Sequence, residues 1–331
     1  MAVKEHDSPL PFTTALALRG EGASDASAER ADAEPNPTSG AFARELIHRQ
    51  IRRLGHLQAE VLADRDPEPL HQLRVSLRRL RTVLGQFAPA LDLPEGVTER
   101  RVASVARRGG LCRDLDVLRL RLREQILPRL PENEQHRLRG PMKRMEQDRQ
   151  QAFLTLREAL HSGRYLKLLA RLHQWDKHPR FTPLGELPLV PWLHEWQAPF
   201  TAGLFLHPGW TAPDPEAEAL HNLRKRIKQG RYSLESLERW CSPPLRDWIQ
   251  ELQQAQDHLG ELHDLQILQQ SFIENDRRGP SPDLPVLRRE IAAQRELHWQ
   301  RWRALAERLR EDQRRRAIQL HLLTLGEGTG P

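Results

Sequence analysis

The sequence predicts an all-α protein, on three observations. An amphipathic segment is written twice, 150 positions apart. From Ala41 onward apolar residues recur at helical spacing, and no stretch alternates apolar with polar residues as a half-buried strand does. The repeated segment runs from Leu70 to Leu84 and again from Leu220 to Leu234, with six of 15 aligned positions identical and three exchanged like for like (Gln72/Asn222, Leu77/Ile227, Arg78/Lys228). A second block keeps the same register, Gly110, Asp114, Leu115 and Leu118 recurring as Gly260, Asp264, Leu265 and Leu268. Two blocks at one offset imply a duplicated unit.

The elements follow in order. Residues 1–40 carry 3 basic and 7 acidic side chains without hydrophobic periodicity, which predicts a disordered acidic tail. The first repeat, 41–178, reads as helices over about 41–63, 67–91, 97–127 and 132–175. A proline-rich linker occupies 179–189. The second repeat, 190–325, reads as helices over about 190–206, 215–240, 243–274 and 285–323, and 326–331 is expected to be disordered. Asp66-Pro67-Glu68, Asp214-Pro215-Glu216 and Ser242-Pro243 each set a capping residue before a proline able to take the first helical position. The second copy departs from the first where Arg79 becomes Gln229 and Leu80 becomes Gly230, and where Pro199 and Gly203 interrupt its leading helix.

Composition sets the class. The 331 residues leave room for two domains. No apolar run approaches the ~20 residues that cross a bilayer. Cys112 and Cys241 form no close pair, so neither a disulfide framework nor a zinc ribbon is expected. Pro9, Pro11, Thr13 and Thr14 break up any signal-peptide core, and a cytosolic location is expected. With the tail at net −4, the chain's +6 leaves +10 on the remainder, which points to an anionic partner.

The duplicated helix has two faces. At ~100° and ~1.5 Å per residue, His71, Arg74, Arg78 and Arg81 fall within roughly 80° of arc along about 15 Å. Leu73, Leu77, Leu80, Leu84 and Phe87 gather on another face, as a core helix requires. The second copy repeats this with His221, Arg224, Lys228 and Arg231 opposite Leu223, Ile227, Leu234 and Leu237. A single arginine row is most often a solvated face. That reading explains neither a histidine at a fixed place nor the same spacing in a diverged copy.

LHQLRVSLRRLRTVL and LHNLRKRIKQGRYSL, each followed by an RDLDVL-like or LGELHDLQIL block, resemble the CHAD family of histidine-bearing α-helical domains, over about residues 41–325. The resemblance implies two four-helix bundles related by pseudo-twofold symmetry around a basic central cleft or pore that binds inorganic polyphosphate. As an alternative, the resemblance suggests a structural protein associated with storage granules of polyphosphate or polyhydroxyalkanoate. Carried onto this sequence, it makes His71, Arg74, Arg78, Arg79, Arg81 and Arg113, with His221, Arg224, Lys225, Lys228 and Arg231, the expected polyphosphate ligands. Asp114 and Asp264 are expected to orient neighbouring arginines. The chemistry suits the ligand, because guanidinium groups bind phosphate oxygens bidentately and keep their charge. The histidines, unperturbed near pH ~6.5, should strengthen binding as pH falls.

Other classes are weighed against this one. Glu68-x-x-His71 and Glu218-x-x-His221 have the spacing of di-iron carboxylate bundles, but Arg74 and Arg78 continue the same face and oppose a cation, so no metal and no other cofactor is expected. There is no GxxxxGK[ST], no HExxH and no ExExK. With no general base beside a nucleophile, no catalytic residue is assigned and a binding protein is expected. Nucleic acid is the competing partner, since any basic helical surface attracts a phosphate polymer. The tryptophans lie off the stripe, where they offer no stacking platform.

Overall fold

The computed structural model describes residues 36–272 and 283–327. Residues 1–35 of the expected acidic tail, 328–331 of the expected disordered end, and 273–274 of the penultimate expected helix lie outside the described residues. The described chain is all-α, with helices α1 (Ser39–Ala63), α2 (Glu68–Gln86), α3 (Glu99–Arg108), α4 (Gly110–Arg121), α5 (Glu132–His161), α6 (Gly163–Lys177), α7 (Leu193–Thr201), α8 (Glu218–Ser236), α9 (Pro243–Phe272), α10 (Pro285–Arg310) and α11 (Asp312–Leu323). Two isolated bridges, Thr38 with Pro188 and Leu91 with Phe181, pin the proline-rich segment to the start of α1 and to the chain after α2.

Several expected helices are divided, each for a local reason. The helix over 97–127 breaks at Gly109, whose φ of −82° and ψ of 0° leave the helix for one residue, and α4 runs into a π-helical turn over Leu122–Ile126. The one over 132–175 breaks at Ser162, which turns extended and caps α6 by accepting from the Tyr165 N–H. The one over 285–323 breaks at Glu311, with ψ at 132°. The helix over 190–206 contracts to α7 and is closed off by Gly203 at φ +71°. Asp66 does cap α2, accepting from Glu68 N–H at 2.8 Å. Asp214 makes the same bond to Glu216 at 2.9 Å but closes a separate turn, so α8 starts three residues later than expected.

The apolar faces of α2 and α8 are where the periodicity puts them. Leu73, Leu77 and Leu80 are 1% exposed, and Leu223, Ile227 and Leu234 are fully buried. Each such side chain contributes about 1.5–3 kcal/mol through burial. They join one large core with Ile47 and Leu54 of α1, Leu252 of α9 and Trp302 of α10. A smaller core sets Leu118, Leu122 and Leu138 against Leu265, Leu287 and Ile291. Both cores draw on both halves of the sequence, and this packing lays α2 beside α8 and α4 beside α9. Gly230 lets α8 come close to α7, since a Cβ there would stand 3.4 Å from the Phe200 carbonyl oxygen.

A buried ion cluster ties α1, α4 and α5 together. Asp64, the left-handed residue (φ 50°) that ends α1, receives both terminal nitrogens of Arg149 on its carboxylate. The Arg149 Nε donates to Asp116 Oδ1 at 2.9 Å. Cys112 and Cys241 are free thiols, fully buried, and burial pushes them up to about 11 and about 12.

Candidate anion-binding site

α2 and α8 meet through direct side-chain bonds across the duplication. Arg78 Nη1 donates to Tyr232 Oη at 2.9 Å, and Ser236 Oγ donates to Gln86 Oε1 at 3.1 Å. Arg79 lies 3.7 Å from the Glu235 carboxylate. With the helices fixed side by side, Arg74 and Arg78 of the first row come within electrostatic reach of Lys228 of the second.

The repeated glycines lie beside the first arginine of each row, and in the first copy the glycine makes room for it. Arg74 Nη1 donates to the Ala106 carbonyl at 3.1 Å, and a Cβ on Gly110 would sit 3.2 Å from that same nitrogen. In the second copy a Cβ on Gly260 would lie 3.6 Å from Arg224 Nη2. One helical turn beyond each glycine stands the repeated aspartate. Crowding by protein atoms raises both carboxyls, against the pull of Arg74, Arg224 and Lys228 on Asp114, and of Arg224, Arg121 and Lys228 on Asp264. Asp114 thus feels cations of both halves, although its side chain still touches solvent.

The cations outnumber the two aspartates, and they suppress one another. Burial lowers Arg74 and Arg224, with Asp114 and Asp264 respectively opposing. Lys228 falls to about 7, through burial first and then Arg224 and Arg78. His71 is lowered by burial and by Arg113, and His221 by burial and by Lys225 and Arg224. His263 falls to about 4 through burial, Arg224 and His221, whose ring centroid lies 5.6 Å from its own. Burial is the largest cause of each of these shifts, and the neighbouring cations add to it.

The expected site residues separate into two groups. Arg78, Arg81, Lys225 and Lys228 line a groove of about 260 Å³ with Phe200 and Tyr232. Arg74, Arg113, Arg224 and the two histidines supply its surrounding field. Arg79 and Arg231 line a different cavity, beside α1 and α9. Arg231, 7% exposed, is held by the Glu235 carboxylate, by Gln256 at 3.3 Å and by the Tyr232 ring at 4.3 Å. Arg81 pairs with Glu99 at 2.7 Å. Among the described residues no group of three or more His, Cys, Asp or Glu could hold a metal ion. The Glu68 carboxylate instead accepts from Gln72 at 2.5 Å.

The CHAD domain profile matches residues 45–273. The chain belongs to the CHAD family. Its fold is similar to the crystal structure of the CHAD domain from the plant Ricinus communis, with a TM-score of 0.55 and 21% identity over 88% of this chain and 93% of that one. It is also similar to PptA from Streptomyces chartreusis, with a TM-score of 0.57 and 18% identity over 82% of this chain and 99% of that one. No curated protein matches the sequence. Within this CHAD chain, the stripe alone misses three contributors. Tyr232 stands where the first copy has Thr82, His263 where it has Arg113, and Arg121 reaches Asp264 electrostatically. An aromatic inside a basic stripe and a histidine aligned with an arginine were the available signals.

Proposed function

We propose that the chain binds inorganic polyphosphate, without turnover, in the groove between α2 and α8. The observation that carries this is the groove itself, where Arg78, Arg81, Lys225 and Lys228 converge with Glu99 as the one carboxylate in its lining. The ligand needs charge and hydrogen-bond geometry and offers no base to stack. The aromatic side of the groove agrees, because Arg231 and Arg78 lie 4.3 and 5.6 Å from the Tyr232 ring centre and occupy the face a nucleobase would use. The reading includes the family's pair of related four-helix bundles, supported by Gly110 and Gly260 lying beside Arg74 and Arg224 in turn. It also includes a cytosolic setting, with polyphosphate or storage granules as partner. No described helix is long and apolar enough to cross a membrane.

Calorimetry with long-chain polyphosphate, single-stranded DNA as competitor, is the direct test. Polyphosphate should bind and resist displacement by equal phosphate equivalents of DNA. Preferential binding of DNA would replace this reading.

Binding should also take up a proton. The free Lys228 titrates at about 7, and a bound polyanion returns it toward the ordinary lysine value. Affinity should therefore rise as pH falls from about 9 to 7, by up to about tenfold per unit, and level off below. Burial sets the Lys228 value first; Arg224 on α8 and Arg78 and Arg74 on α2 lower it further, and Asp264 on α9 opposes. The histidines, lowered in the free chain, contribute only at more acid pH. In Lys228→Arg the slope between pH 7 and 9 should vanish; an unchanged slope would show that Lys228 is not the titrating group.

A further inference from the structure

Five arginines lie outside the central site, on a face that no function above uses. Arg100, Arg101, Arg107 and Arg108 project from α3 and Arg164 from the start of α6; all are exposed, and no described carboxylate pairs with them. They line two grooves of about 700 and 380 Å³. The grooves share Arg101, Ser104 and Arg164, and the larger shares Arg81 and Glu99 with the central groove. A continuous basic lane thus leaves the central site over the first half of the chain. In its larger groove, Glu99 is the lone carboxylate against Arg81, Arg100, Arg101, Arg107 and Arg164, and Glu99 is already paired with Arg81.

The duplication supplies a control. At the same offset of 150, Arg100, Arg101, Arg107 and Arg108 correspond to Gln250, Glu251, Asp257 and His258. The corresponding cavity is lined by Arg231, Ile249, Gln250 and Gln254, with Glu235 and Glu238 nearly balancing its arginines. Glu251 is engaged by Arg314 at 2.5 Å and Arg308 at 3.4 Å. A merely solvated helix face gives no reason for one copy to be all arginine and the other neutral to acidic. A second observation lies at the far end of the lane. Tyr165 lines the smaller groove, is 1% exposed, and its hydroxyl has no hydrogen-bond partner among the described residues. A buried hydroxyl without a partner costs about 1–3 kcal/mol, and a phosphate oxygen in this groove would satisfy it once the groove wall opens to admit the contact.

We infer that this lane is an extension subsite for the same polyphosphate chain, so that a long polymer leaves the α2–α8 groove over α3 and not over α9. This rests on the central site binding polyphosphate. The lane adds no affinity for an oligomer short enough to lie within the central groove, and it gives the bound polymer one favoured direction of exit.

The test compares tripolyphosphate with long-chain polyphosphate at fixed salt, on the full chain. Arg100→Gln/Arg107→Gln/Arg108→Gln/Arg164→Gln should bind tripolyphosphate within twofold of wild type, lose on the order of tenfold or more for the long chain, and show a shallower salt slope for the long chain only. Tyr165→Phe should lose a fewfold for the long chain alone. The control Arg289→Gln/Arg301→Gln/Arg303→Gln/Arg316→Gln removes equal charge from exposed sites elsewhere. Unchanged long-chain binding in the lane variant, or an equal loss in the control, overturns the extension subsite while leaving the central one intact. A wild-type chain that binds neither ligand overturns both.

Discussion

Replacing Arg74, Arg78, Arg224 and Lys228 with Gln should abolish most polyphosphate binding. At ~1 kcal/mol or more for each charge-assisted contact, the four together remove roughly a thousandfold in affinity. The salt dependence should flatten by about one unit in the log–log slope for each cation lost. Folding should persist, because the apolar faces through Leu73, Leu77, Leu223 and Ile227 are untouched. Thermal stability should even rise slightly, since burial and repulsion act against Arg74, Arg224 and Lys228 in the free chain. Arg231 is left out of the set: it neutralises the half-buried Glu235, and its loss would mix a folding defect with a binding one. Equal weakening by four exposed arginines elsewhere would reduce the duplicated row to part of a diffuse charged surface.

Arg149→Met should be the most damaging single substitution for stability. Asp116 is 2% exposed and Arg149 7%, and the change leaves the Asp116 carboxylate in the core beside Asp64 with only the longer contact to Arg119, at 3.7 Å. Breaking a buried pair on one side costs about 3–5 kcal/mol. Urea unfolding should show that loss with polyphosphate affinity unchanged in the folded fraction. Converting Asp116→Leu together with Arg149→Met should recover part of it, since no buried charge then lacks a partner except at the more exposed Asp64. A loss below about 1 kcal/mol in the single variant would show that the cluster is hydrated and structurally minor.

The apolar periodicity of α2 and α8 was legible because a core helix must repeat its apolar side chains every three or four residues, and Leu73, Leu77, Leu223 and Ile227 do so in both copies. The break at Gly109 and the one at Ser162-Gly163 were written in the sequence as helix-weakening residues inside long helical runs. The break at Glu311 was not, for it follows a run from Val286 to Arg310 with no glycine or proline to mark it. The site was legible as a row of charges but not as a pair of surfaces. Arg78 and Arg79 are neighbours in sequence, yet one turns to the α2–α8 groove and the other to the cavity beside α1 and α9. The approach of Lys228 to Arg78 and Arg74, across 150 residues, lies beyond any local pattern, and it adds to the burial and the Arg224 charge that bring Lys228 to about 7.

The two cores carry a further meaning for how the molecule holds together. Each is assembled from side chains of both copies, Leu118 and Leu138 against Leu265 and Leu287 in one, Leu73 and Leu77 among Leu223, Ile227 and Leu252 in the other. Covalent continuity and mechanical continuity therefore follow different partitions of the same chain. The peptide passes from one copy to the next only through residues 179–189, whereas the packing is stitched across the copies along the length of α2 with α8 and α4 with α9. A nick in that proline-rich segment would sever the thread without parting the fabric. Neither copy, taken alone, would have a finished interior to fold around.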